Sequence, residues 1–345
     1  MNKKDYLKML NNIEQGEELT KPEQHERVVF IDGLNLFLRN FAILNFINSS
    51  GTHIGGLAGF LRSLGALINQ IQPTSIYIVF DGVGASTNRR YLLPEYKTGR
   101  NLNRITNWDA FDDINDENDS KVDQIIRLVQ YLKCLPVKVV SIDKVEADDI
   151  IAYMSKDMAK RFNTKSYIVS SDRDFLQLVD DNITVYRPIE REFYDPRTVK
   201  EKFGIVPENF IHYKVLLGDA SDKVPGIKGL GKKGVLKRFP ELADGPMPFD
   251  RLFDLSEERL KDSVVYARVI QDWDKLQNTR KIMDLEIPMI SEEEKEYLSQ
   301  LPLEQLNKLR ILEFMSLYTE DGLNHIIKNT EFWLKDTFTR LCYDT

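Results

Sequence analysis

The sequence predicts an α/β fold: a mostly parallel central sheet flanked by helices, followed by a helical C-terminal region. Three observations predict it. Short apolar runs that finish in an acid recur at 27–33 (RVVFIDG), 75–82 (SIYIVFDG), 137–143 (VKVVSID) and 166–174 (SYIVSSDRD). Amphipathic helical patterns separate them at 55–71, 121–133 and 146–160. Strands alternating with such helices favour a parallel sheet covered on both faces. After Gly204 the strand patterns stop, and 205–345 reads as short helices with turns at Pro225–Gly226, Pro240, Pro246–Met247–Pro248 and Asp321–Gly322.

In chain order, residues 1–26 are polar and read as an N-terminal extension, a short helix or a loose tail. They lack an apolar h-region, which argues against a secretory signal. No apolar stretch of the chain approaches the ~20 residues that span a bilayer. The α/β core is expected over 27–204. Phe37 and Leu36 follow its first strand, at a helix start. Residues 89–104 carry Arg89, Arg90, Lys97, Arg100 and Arg104, with Glu95 as the only acid. If that segment is helical, Lys97, Arg100 and Arg104 share a face. A solvated helix is the plainer account of the same charges, but Gly99 sits badly in a helix interior. Residues 101–120 (NLNRITNWDAFDDINDENDS) are too polar and too long for an ordinary connection, and read as a functional loop or a disordered one.

Composition limits the classes. The 345 residues are 42% apolar and 29% charged, ordinary for a soluble globular protein. Two cysteines far apart, Cys134 and Cys342, suggest a reducing compartment and exclude a cysteine-based zinc site. The four histidines are scattered, without metal-ligand spacing. A cytoplasmic protein is expected. Net charge is −7, yet 223–238 holds Lys223, Lys228, Lys232, Lys233, Lys237 and Arg238 with no acid. Basic segments on an acidic chain imply two surfaces with different partners.

In parallel sheets ligands bind beyond the carboxyl ends of the strands. Asp32, Asp81, Asp143, Asp172 and Asp174 end strand patterns, and Glu146, Asp148 and Asp149 open the next helix. Acids also suit a helix first turn for its dipole alone. On one rim, however, neighbouring carboxylates ~4 Å apart repel by ~4 kcal/mol per pair at an effective dielectric of ~20. Hard divalent cations relieve that best, and an all-oxygen set points to Mg²⁺ or Mn²⁺. Two more acids, Asp219 and Asp222, lie in LLGDASDKVPGIKGLGKKG (216–234), three apart and on one face if helical. Gly226, Gly229 and Gly231 follow, then lysines. A glycine triplet alone is often just a turn. With Pro225, the acids and the basic run it reads as a helix–hairpin–helix at about 209–239 that grips a DNA backbone without reading sequence.

FIDGLNL, FDG followed by RRYLLPEYKTGR, VEADDIIA, SSDRDFLQLV and LLGDASDKVPGIKGLGKKG occur in that order. Together they resemble the 5′-nuclease family: flap endonucleases, the 5′-nuclease domain of bacterial DNA polymerase I, and free-standing phage 5′-exonucleases of the phage ribonuclease H type. The resemblance covers about residues 28–240. It implies a PIN-like 5′-nuclease core and a two-metal phosphodiesterase. Asp32, Asp81, Glu146, Asp148 and Asp172 would surround a first Mg²⁺, with Mn²⁺ as substitute. Asp174, Asp219 and Asp222 would serve a second, with Asp149 and Asp172 between the two. Lys97 and Arg100 would neutralise the scissile phosphate, and Asp148 and Asp172 carry the chemistry with them. Arg89, Arg90, Arg104, Lys228, Lys232, Lys233 and the three glycines would contact DNA, with K⁺ held near 224–231. Of the aromatics, Tyr96 is expected to stack on a base; Tyr91 and Phe37 are expected in packing roles, as are the three tryptophans.

The departures are specific. Lys223 stands where the family often has Asn. The acidic 109–119 stretch falls where the family builds an arch or clamp, here about 84–120. Acids there would repel phosphate, so the stretch is expected to face away from DNA or to stay mobile. No polymerase region follows, so a free-standing enzyme is expected, in a bacterial cytoplasm or, if phage-encoded, an infected cell. The implied function is removal of RNA primers and 5′ flaps from branched, nicked or RNA-primed duplex DNA by a monomer. Such an enzyme would meet a sliding clamp and a single-strand-binding protein, for which 1–26 and 245–345 are the unmatched segments. The alternatives are a single-stranded-RNA ribonuclease and, with lower weight because no acid is lost, a non-catalytic DNA-binding module.

Overall fold

The computed structural model describes residues 25–99, 105–339 and 341. Its centre is a six-stranded sheet of order β3-β2-β1-β4-β5-β6. The strands are β1 (Arg27–Asp32), β2 (Ser75–Val79), β3 (Lys138–Val140), β4 (Lys165–Val169), β5 (Ile183–Arg187) and β6 (Glu192–Tyr194). All neighbours are parallel except β5 and β6. The four expected strands are present. The β5–β6 hairpin was not foreseen, because ITVYR and EFY are too short and too mixed to stand out.

Alternation along the strands feeds two cores. Val28, Phe30, Tyr77, Val79, Ile168 and Val185 face one; Val29, Ile31, Ile76, Ile78 and Val169 face the other. Each such buried side chain contributes about 1.5–3 kcal/mol. The second core is closed by α1 (Gly33–Ile43), α2 (Gly55–Ile71) and α4 (Ile114–Leu132). The first is closed by α5 (Ala147–Phe162), and it continues without a break into the helical region, through Phe210, Leu216, Phe239, Leu252, Leu276 and Leu298. That region comprises α6 (Pro196–Phe203), α7 (Phe210–Leu217), α8 (Lys232–Arg238), α9 (Arg251–Glu258), α10 (Val264–Gln271), α11 (Trp273–Met283) and α12 (Glu292–Gln300). The chain then crosses back. Helices α13 (Ile311–Glu320) and α14 (Thr330–Phe338) pack into the second core, and Trp333 lies so close on α2 that a Cβ at Gly65 would come within 2.7 Å of its indole nitrogen.

Two expectations are corrected. Strands do not stop at Gly204: β7 (Gly218–Asp219) and β8 (Val224–Pro225) form a small antiparallel pair. The acidic stretch is not a long loop either, since α4 begins at Ile114. Asp113 caps it by accepting from the Asn115 amide at 2.7 Å, and Asp116 and Glu117 favour the positive end of its dipole. Glu117 is fully buried. It accepts from the Thr106 and Asn107 amides and from Lys121; burial is the largest influence and raises its carboxyl, but these bonds together hold it below the usual range. Asp113 and Glu117 thus hold backbone amides at the start of α4 and in the segment that leads into it. Arg100 and Arg104 lie outside the described residues, as does nearly all of the 1–26 extension.

Candidate active site

The sheet order places a switch point between β1 and β4, where such folds open a crevice at the carboxyl edge. Asp32 ends β1 and caps α1, its Oδ1 accepting from the Asn35 amide at 3.0 Å. Its Oδ2 accepts from the Ser170 hydroxyl at 3.0 Å, and that oxygen accepts the Asp172 amide at 3.1 Å. One serine thus stitches the two strand ends together across the switch point. Asp81, beyond β2, accepts from the amide of Ala147, the first residue of α5, at 2.8 Å. Asp174 opens a 3₁₀ turn (Asp174–Leu178), its amide bound to Asp172 Oδ1 at 2.9 Å.

Crowding shows in the carboxyls. Burial pushes Asp32 up to about 7; the Asn35 and Ser170 bonds oppose it, and the charges of Asp81 and Asp172 add to it. Burial and Asp172 raise Asp174 to about 7 against the pull of Lys214. Burial raises Asp148 too, opposed by Lys97 and reinforced by Asp172, Asp32 and Glu146. Asp32, Asp81, Glu146, Asp148, Asp172, Asp174 and Asp219 are therefore within electrostatic reach along one rim. Among the described residues, no three acids, histidines or cysteines are drawn into a ready-made metal cage. Side-chain cations relieve part of the crowding instead. Lys97 Nζ sits 2.8 Å from Glu146 Oε2. Lys214 Nζ bridges Asp174 Oδ1 at 2.6 Å and Asp219 Oδ2 at 2.7 Å. Burial alone would raise Asp219, yet Lys214 and Ser221 hold it at about 2. An all-oxygen set with neutral-range carboxyls that a dication would ionise fits Mg²⁺ or Mn²⁺, with the lysines as exchangeable counter-charges.

Several sequence expectations meet a different environment. Asp149 is 1% exposed and turned from the rim: Arg89 takes both of its oxygens, at 2.5 and 3.0 Å, and the Met289 amide donates to Oδ1 at 2.9 Å. It is held in a buried ion pair. Arg89, 4% exposed, also reaches Glu146 and the Ile282 carbonyl, so it serves as an internal counter-charge instead of a DNA contact. Tyr96 is buried, its hydroxyl donating to Glu146 at 3.1 Å, and cannot stack on a base; Tyr91 is the exposed ring. Residues 94–99 form turns, with Lys97 at φ +52° and Gly99 at φ +75°, so no helical face carries Lys97. Phe37 is in the core, as expected, but Trp108 is largely exposed.

Asp219 and Asp222 do not share a helix either. They flank the tip of the β7–β8 pair, with Asp219 Oδ1 accepting from the Ser221 amide and hydroxyl and Asp222 buried. The pair joins α7 to α8. Gly218 and Gly226 let its strands meet: a Cβ at Gly226 would lie 2.1 Å from the Leu217 carbonyl. Gly229 has φ +78°, while Gly231, before α8, has nothing within 4 Å of where a Cβ would stand. Lys228, Lys232 and Lys233 are exposed and, among the described residues, form no ion pair. Arg90 is exposed, its Nε on the Tyr96 carbonyl at 3.1 Å.

Sequence reasoning missed Lys214 and Ser170. A single lysine in the otherwise apolar helix FIHYKVLL was the available signal for the first; for the second there was only a hydroxyl directly after the β4 run.

The fold is thus a parallel sheet with acids at its switch point, beside a small hairpin whose lysines form no ion pair among the described residues. Residues 27–204 match the family described as 5′-3′ exonuclease, N-terminal resolvase-like domain. The chain is 34% identical over 214 residues to the 5′-3′ exonuclease of Aquifex aeolicus, covering 61% of this chain and 68% of that one. It is 30% identical over 249 residues to DNA polymerase I of Bacillus subtilis, covering 70% of this chain but 26% of the polymerase, about a quarter of its length. A bacteriophage T5 flap endonuclease solved with DNA and metal ions superposes with a TM-score of 0.65 at 18% identity, over 81% of this chain and 98% of that one, a likeness of fold. The chain belongs to the 5′-3′ exonuclease family. Among the described residues no helix is long and apolar enough to cross a membrane.

Proposed function

We propose that this chain is a Mg²⁺-dependent, structure-specific 5′-nuclease that trims RNA primers and 5′ flaps from branched or nicked duplex DNA. The observation that carries the reading is the set of acids from three strand ends, a helix start and a hairpin, held apart by two lysines. Asp32, Asp81, Glu146, Asp148 and Asp172 would hold one cation, and Asp174, Asp219 and Asp222 the other. Bound there, the ions would supply an activated water and offset charge on the leaving oxygen. The rest falls to the chain. Ser170 fixes the relative position of Asp32 and Asp172. Tyr96 and Arg89 orient Glu146 from behind. Lys97 and Lys214, which pair with rim carboxylates, would turn toward the phosphate when cations take those oxygens. Lys228, Lys232 and Lys233 grip the backbone, each phosphate contact steepening the salt dependence by about 0.9 in log–log slope.

The test is cleavage of a 5′-labelled flap and of an RNA-primed nick, with Mg²⁺ and with chelator. Metal-dependent release of short 5′ products supports the reading; intact substrate at enzyme excess rejects it. Cleavage of single-stranded RNA that branched duplex fails to compete would favour a ribonuclease instead.

A further inference from the structure

The hairpin and the basic segment touch through two turns, each held in left-handed backbone by a lysine. Lys97 has φ +52° and Lys223 has φ +58°. Such conformations persist in non-glycine residues only where the surroundings impose them. Here each turn imposes the other's. The Lys97 amide donates to the Asp222 carbonyl at 3.1 Å, and Lys223 Nζ donates to Thr98 Oγ1 at 3.0 Å. Gly99, at φ +75°, lies beside the contact in a backbone conformation that favours glycine. The side chain of Lys97 meanwhile reaches Glu146 on the opposite side of the joint.

We propose that Lys223 is a positioning residue that locks the Lys97 turn onto the hairpin, so that backbone grip at Lys228, Lys232 and Lys233 sets where the Lys97 ammonium stands over the scissile phosphate. This rests on the nuclease reading above. Lys223 is exposed and basic, and the bland alternative is that it is one more phosphate contact. The two roles separate kinetically. A phosphate contact contributes to affinity and salt dependence. A positioning residue contributes to the cleavage step, because misplacing a catalytic group by a fraction of an ångström is enough to slow it.

The experiment is a double-mutant cycle with Lys223→Met and Thr98→Val, read by single-turnover cleavage of a 5′ flap at saturating enzyme and by equilibrium flap binding in Ca²⁺. Each single variant is expected to slow cleavage about tenfold, the worth of one charge-assisted hydrogen bond. The double variant should be no slower than the singles, with affinity and salt slope unchanged and partial rescue by Lys223→Arg. Multiplying effects, or weaker binding with a flatter salt slope and normal saturated cleavage, would overturn the proposal. Failure of the wild-type chain to cut the flap would instead overturn the nuclease reading.

Discussion

Arg89 and Asp149 form a two-pronged ion pair across 60 residues of sequence, with Nη1 to Oδ2 at 2.5 Å and Nη2 to Oδ1 at 3.0 Å. Neither is more than 4% exposed, and the pair ties α3 (Thr87–Leu92), from which Arg89 projects, to the start of α5. Removing one partner leaves a buried charge. Arg89→Leu should cost about 3–5 kcal/mol in urea unfolding without DNA, and Arg89→Leu with Asp149→Leu should recover much of it. Unchanged stability with weakened DNA binding would mean that Arg89 is a phosphate contact after all.

Lys214 holds Asp174 and Asp219, two of the acids proposed for the second cation, and would compete with it. Lys214→Met should tighten Mn²⁺ binding about tenfold, measured by titration with paramagnetic resonance detection, because the metal no longer displaces a charge-assisted bond. Flap cleavage should fall in the same variant. Unaltered Mn²⁺ affinity would argue that this ammonium and the metal occupy separate space.

The hairpin glycines should divide by cause. Gly226→Ala drives a methyl into the Leu217 carbonyl and should lower stability by about 1–3 kcal/mol and weaken DNA binding with it. Gly231→Ala meets no atom of the protein. Its melting temperature should match wild type, and any loss of affinity then reports how close the DNA backbone comes.

Burial lowers the affinity of His212 for a proton, against the help of its bond to the Met247 carbonyl. With a folded value below the unfolded one near 6.5, its neutral form contributes fully above that pH. As acidity rises, the unfolded chain takes a proton that the folded one resists, so stability declines. Between pH 7.5 and 5.5 the unfolding midpoint should fall less steeply in His212→Gln than in wild type.

The sheet was legible because parallel, doubly covered strands such as RVVFID are apolar throughout and finish at a fixed rim. The rim acids were legible for the same reason. What sequence could not show was which way neighbouring side chains turn. Asp148 and Asp149 are adjacent in a helix first turn, about 100° apart around its axis, and only the latter is taken up by Arg89. Tyr96 and Arg89 looked like substrate contacts because aromatics and arginines commonly are; their burial depends on Glu146 and Asp149, 50 and 60 residues away. The start of α4 was hidden because its capping acid and buried Glu117 have the composition of a solvated loop.

Trp333 pressed onto Gly65 means that the last helices serve as a lid for hydrocarbon formed by the first ones. A shortened chain ending near residue 300 would keep every rim acid, the whole hairpin and the helices α9–α12 of the first core. It would also strip Phe314, Tyr318, Leu334 and Phe338 from α2 and α4, leaving a greasy, unsealed wall. Poor solubility, rather than lost chemistry, is what such a minimal enzyme should suffer first.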